Sequence, residues 1–217
     1  MAGWAEGGST RAVRGVVLTV AALNAAYFVV ELIVALSVRS VALLADSVDF
    51  LQDASINLLI ALALGWTLIA RARLGRVLAV VIVVPAIVAA VEAVSKAFDP
   101  EPPAALPLIA VASGGALVNL LCAVLLARHR GAGGSLVGAA WLVARNDVII
   151  NIAIVLMGLI TLLVVSGWPD IALGVLILAL NASAAARVWR AAHDEELAAR
   201  AHGNAAPPAP PFAGNNA

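Results

Sequence analysis

Ala45-Asp46-Ser47-Val48-Asp49-Phe50-Leu51-Gln52-Asp53-Ala54-Ser55-Ile56-Asn57 sets three aspartates and an asparagine inside a stretch that is apolar on both sides. Val41-Ala-Leu-Leu44 precedes it, and Leu58-Leu-Ile-Ala-Leu-Ala-Leu64 follows. Read as a helix, the stretch puts Asp49, Asp53 and Asn57 at successive four-residue steps, on one face. The whole run exceeds the ~20 residues that a helix needs to cross a hydrocarbon core. An ionised carboxylate at mid-membrane costs about 2.5–3.5 kcal/mol on insertion scales, so acids placed there face a cavity, pair with a cation or bind a ligand.

The rest of the chain has the same solvent in view. Of its 217 residues 63% are hydrophobic and only 12% charged, against roughly half and a quarter in soluble domains. Apolar runs of membrane-spanning length fall at 15–38, 41–70, 77–98, 104–127, 136–166 and 170–188. They predict an all-α integral membrane protein, a six-helix bundle over 15–190 with a cytoplasmic segment at 1–14 and a short, largely disordered cytoplasmic tail at 191–217. The first run is too long for the ~7–15-residue core of a secretory signal, and it contains Glu31.

Orientation follows from Lys and Arg, which are retained on the cytoplasmic side of short loops. Arg11, Arg14, Arg71, Arg73, Arg76, Arg128, Arg130, Arg187, Arg190 and Arg200 fall on one side and Arg39 and Lys96 on the other. Ten against two predicts cytoplasmic termini. The formal net charge is zero, so no basic excess points to nucleic acid, and the single cysteine, Cys122, excludes an internal disulfide.

The fifth run repeats the pattern of the second. Asp53-Ala-Ser-Ile-Asn57 and Asp147-Val-Ile-Ile-Asn151 both read Asp-x-x-Ile-Asn. At ~1.5 Å per residue, Asp49 and Asp53 lie roughly 12–18 Å from the outer end of their helix, and Asp147 roughly 18 Å from the inner end of its own. The three acids therefore reach a common depth, where oxygen ligands can replace the hydration shell of a transported cation. Asn24 and Glu31, seven apart on one face of the first run, together with Asn57, Asn146 and Asn151, extend the polar lining. Arg145, also within the fifth run, is expected to turn inward and balance the acids. Cys122 is expected in the core, and the charged end at His193, Asp194, Glu195, Glu196 and His202 is expected to be a helix end dissolving into the tail.

These residues resemble the cation diffusion facilitator family. The stretch from Asn24 to Glu31 and the motif Ser40-Val-Ala-Leu-Leu-Ala-Asp-Ser-Val-Asp49-x3-Asp53 are similar to the family's first two helices, Trp141 to Asn151 to its fifth, and Trp168-Pro-Asp170 to the lead-in to its sixth. The resemblance implies a four-ligand metal site, of which Asp49, Asp53 and Asp147 occupy three positions while Val143 stands at the fourth. It also implies a homodimer in the cell membrane that exports a divalent cation in exchange for protons. Zn2+ is the family's usual substrate, with Mn2+, Fe2+, Co2+ and Cd2+ as further candidates, and no permanent cofactor is expected. The cytoplasmic metal-binding domain of most members has no counterpart after residue 190, so a short form is expected. An enzyme is not expected, because no nucleophile–base pair, His-x-x-x-His or phosphate loop is present. The alternatives are a proton-coupled carrier of a small organic solute and a non-transporting membrane scaffold.

Overall fold

The computed structural model describes residues 3–63 and 68–182, and all regular structure among them is helical. The helices are α1 (Gly3–Val38), α2 (Val41–Ala63), α3 (Leu68–Phe98), α4 (Ala105–Ala127) and α5 (Arg130–Thr161), followed by α6 (Trp168–Ala182). Stretches of α1, α3, α4 and α5 are long and apolar enough to cross a bilayer, and no more than a third of the most apolar part of each is buried within the protein. Val29, Val30 and Ile33 on α1, Val84, Val91 and Val94 on α3, and Ile149, Ile152 and Leu156 on α5 are exposed. A continuous surface of that kind is one for lipid. The chain is a membrane-spanning helical protein.

α2 sits in the middle. It packs against α1, α3 and α5, while α4 lies between α5 and α1. Every residue from Val41 to Val48 is buried. The helix that carries three aspartates is therefore the one most shielded from lipid, as the cost of charge in hydrocarbon requires. Leu43, Leu44, Ala45, Leu108, Ala112, Ile154 and Met157 form the main apolar core around it.

Several helix bounds differ from the sequence reading. The first helix starts at Gly3 rather than near residue 15, since no proline interrupts the stretch from Gly3 to Arg14; at ~1.5 Å per residue its length is about 54 Å. Leu68, Ile69 and Ala70, assigned above to the second span, open α3, and Arg71, Arg73 and Arg76 lie within α3 instead of in a connection. Arginine is a good helix former, so charge marks the membrane edge without ending the helix. The fifth helix begins at Arg130 and ends at Thr161, several residues earlier at both ends than expected. The last part of the sixth span and the charged cluster at 193–202 lie outside the described residues.

One end of the bundle is locked by a buried polar knot. Arg39, with φ 52°, turns the chain between α1 and α2, and Ser40 N–H donates back to the Ala35 carbonyl at 3.1 Å, the 6→1 bond of a Schellman turn. Ser40 caps α2: its Oγ accepts from Leu43 N–H at 3.1 Å and donates to Asp170 Oδ1 at 2.6 Å. The same Asp170 carboxylate accepts from Val41 N–H at 2.9 Å and Ala42 N–H at 3.1 Å, at the positive end of α2. Lys96 Nζ closes the knot, 2.8 Å from Asp170 Oδ2 and 2.6 Å from the Arg39 carbonyl. Lys96, counted from sequence only among the charges of the outer side, is thus a buried ion-pair partner, 2% exposed.

Candidate functional site

Below this knot a polar track runs through the bundle along one side of α2. Asp46 and Asp53 are seven residues apart and so share a face. Each meets a carboxyl from another helix. Asp53 is in hydrogen-bonding contact with Asp147 of α5, and Asp46 is in hydrogen-bonding contact with Glu31 of α1. Glu31 and Asp46 are fully buried, and Asp53 and Asp147 nearly so. Since ~1.5 Å separates successive residues along a helix, the two pairs are staggered by about 10 Å.

Asparagines connect the two layers. Asn151 Nδ2 donates to the Asp147 carbonyl at 3.0 Å and approaches Asp46 Oδ1 at 3.4 Å, so one amide touches an acid of each pair. Asn57 Nδ2 is held by the Asp53 carbonyl at 2.8 Å, leaving Oδ1 without a partner. Asn24 is buried with neither amide atom partnered. α1 runs antiparallel to α2, so stepping back seven residues from Glu31 and forward seven from Asp46 brings Asn24 level with Asp53.

Asp49 is half-buried and stands one turn from Asp53, within electrostatic reach of Asp53, Asp147 and Asp46. It is in hydrogen-bonding contact with Asn181 of α6, whose Nδ2 also donates to the Ala45 carbonyl at 3.0 Å. The space for this track is made by small residues on α4. A Cβ on Gly115 would strike Asn151 Oδ1, and one on Gly114 would strike the Tyr27 hydroxyl. Tyr27 itself donates to the Val111 carbonyl at 2.6 Å and packs on Phe50 with ring centroids 5.0 Å apart.

The sequence-predicted residues divide accordingly. Asp53, Asp147, Asn57 and Asn151 come together, with Asp49 beside them. Glu31 is one layer removed and belongs with Asp46, a residue that the four-residue step from Asp49 passed over. The seven-residue step 46–53, mirrored by 24–31, is the signal that finds it. Asn146 is exposed and does not line the track. Val143 is 38% exposed whereas Asp147 is 6% exposed, so the side chain one turn before Asp147 is not sequestered with the acid. Arg145 is also exposed and lies over the Trp141 ring, 5.4 Å from its centroid. The inward, charge-balancing placement expected for Arg145 is not adopted, because an amphipathic guanidinium stacked on an aromatic ring keeps its hydration.

Each carboxyl–carboxyl contact brings together two acceptors. Neither Glu31 oxygen, nor Asp46 Oδ2, nor Asp147 Oδ2 receives an N–H or O–H from the described residues. Such contacts hold only with a proton or a cation between the oxygens. Among the described residues no three His, Cys, Asp or Glu side chains are gathered in a metal-holding geometry. The arrangement is an open set of acids in two layers. No protein-family model matches the chain, and no curated protein matches its sequence.

Proposed function

We propose that this chain is a divalent-cation transporter of the cation diffusion facilitator kind, with six spans, both termini in the cytoplasm, and the cell membrane as its location. The observation that carries the reading is the buried Asp53–Asp147 contact between two helices, with Asp49 one turn away. These three carboxylates are the ligands, and Asn57 and Asn151 line the site. An all-oxygen set suits hard to borderline divalent ions. Zn2+ is the family's usual substrate, and Mn2+, Fe2+, Co2+ and Cd2+ are the other candidates.

Two carboxyls in contact are held by a shared proton when no cation lies between them, and in this reading such a proton joins Asp53 to Asp147. Metal must displace that proton, because ligating carboxylates have to be deprotonated. Proton and metal therefore exclude one another at one place, which is the physical basis of antiport, and apparent metal affinity falls as pH is lowered. By the same reading the protein works as a homodimer and exports metal. Uptake by inside-out vesicles, measured across Zn2+, Mn2+, Fe2+, Co2+ and Cd2+, tests this: one or more ions accumulate against a proton gradient with the wild type and none with Asp147→Asn. Accumulation of none, with proton flux driven instead by an organic solute, would favour the solute-carrier alternative. No flux of either kind would favour a scaffold.

A further inference from the structure

We propose that the Glu31–Asp46 pair is a proton-binding site in its own right, separate from the metal carboxylates and linked to them through Asn151. The inference rests on the transport reading for its role, and on geometry alone for its chemistry. Both side chains are fully buried, they meet at hydrogen-bonding range, and Glu31 has no other partner for either oxygen. One proton shared between the two oxygens satisfies the contact and leaves the pair with a single negative charge.

A metal is disfavoured at the same place by the orientation of Asn151. Its Nδ2 is aimed at Asp46 Oδ1, and the bond from Nδ2 to the Asp147 carbonyl fixes that orientation. The amide thus offers an N–H donor, which supports a carboxylate and repels a cation. Its Oδ1, buried and unpartnered, is held against Gly115 on the opposite side. Two carboxyls and a donor fit a proton, whereas the Asp53–Asp147 contact has a third carboxyl, Asp49, one turn away that could join it around a divalent ion.

The ionisable groups acting on the pair are Tyr27 on α1, Asp49 and Asp53 on α2, and Asp147 on α5. α4 faces Asn151 and Tyr27 with Gly114 and Gly115, and α6 contributes Asn181 nearby. Lys96 and Arg39 are engaged with Asp170 and Glu92 at the end of the bundle. A divalent ion arriving at Asp147 brings positive charge towards the pair and favours its fully ionised form, and the Asn151 N–H aimed at Asp46 Oδ1 supports the carboxylate that results. The step is a bare proton transfer: the pair goes from one proton to none, its charge from −1 to −2, and the proton leaves to water.

The test needs no metal for its first arm. Full-length protein in lipid is titrated while infrared difference spectra are recorded. The wild type should show a carboxylic-acid C=O band that both Glu31→Gln and Asp46→Asn remove and Asp53→Asn leaves in place. Absence of any band assigned by those variants overturns the proposal, whatever the protein transports. In the second arm, Zn2+ or Mn2+ is added and released protons are counted. Glu31→Gln should still bind metal but release one proton fewer per ion. If it instead loses metal binding as Asp53→Asn does, the pair is a ligand set and the proposal fails. If the wild type binds no metal while the band behaves as expected, the transport reading fails and the proton site stands. Asp46→Asn, tested beside Glu31→Gln, guards against a folding defect in either variant.

Discussion

Two buried polar regions lie a few turns apart on α2, and they are built on opposite principles. At its N-terminus, Asp170 receives four donors, from Ser40, Val41, Ala42 and Lys96. In the track below, Glu31, Asp46, Asp53 and Asp147 meet one another, and several of their oxygens receive nothing from the described residues. A fully satisfied buried carboxylate fixes geometry. Carboxyls left facing carboxyls are held together only by something that comes and goes. The first region serves the fold, and the second is where we propose that ions pass.

The contrast is broken most severely at the knot. Asp170→Ala strands Lys96 without a counter-charge and removes the acceptor of the Val41 and Ala42 N–H groups, and losing one partner of a buried ion pair costs about 3–5 kcal/mol. We expect a large fall in the thermal midpoint of the detergent-solubilised protein, and a similar fall for Lys96→Ala. A change of a degree or two for both would mean that the knot does not hold α2.

Gly115→Ala comes next. The added Cβ collides with Asn151 Oδ1, and forcing a methyl group into a packed interior costs about 1–3 kcal/mol. Gly138, which has nothing within reach of a Cβ, is the control, and Gly138→Ala should stay within about 0.5 kcal/mol of wild type. Equal midpoints for the two variants would contradict the close packing of α4 on the track.

Asp53→Asn should barely move stability, or raise it, since replacing one acid of an unsatisfied pair removes a desolvation penalty and retains a hydrogen bond. Its midpoint is expected within about 1 kcal/mol equivalent of wild type, in contrast to Asp170. Severe destabilisation would make the track structural. The smallest effect belongs to Val143→His. The family pattern would have it complete a four-ligand site, but the exposed position of Val143 predicts no gain in Zn2+ or Co2+ affinity by calorimetry. A rise of tenfold or more would show that this face of α5 turns inward when metal binds.

Much of this architecture could be read from residue spacing alone. The span at 104–127 matches α4 to within a residue, because Pro102, Pro103 and the Arg128–His129–Arg130 cluster punctuate both ends. The facing acids of the second and fifth helices were legible because depth follows from counting. The Lys96–Asp170 bond joins residues 74 apart, and periodicity carries no information at that range. Asp46 was hidden for a related reason: its partner Glu31 comes from a neighbouring helix whose register only packing defines. Arg145 misled because a charge inside an apolar run invites an inward partner, whereas Trp141 one turn earlier offered it an outward one.

We propose above all that Asp53 and Asp147 together carry a divalent ion in exchange for protons. It is tested most directly in proteoliposomes that enclose a pH-sensitive dye, with Zn2+ or Mn2+ added outside and Asp53→Asn and Asp147→Asn run beside the wild type. The expected result is metal-dependent proton movement in the wild type and a rate no higher than that of protein-free vesicles in both variants, with all three proteins folded. Metal-driven proton flux at the wild-type rate in either variant would contradict it.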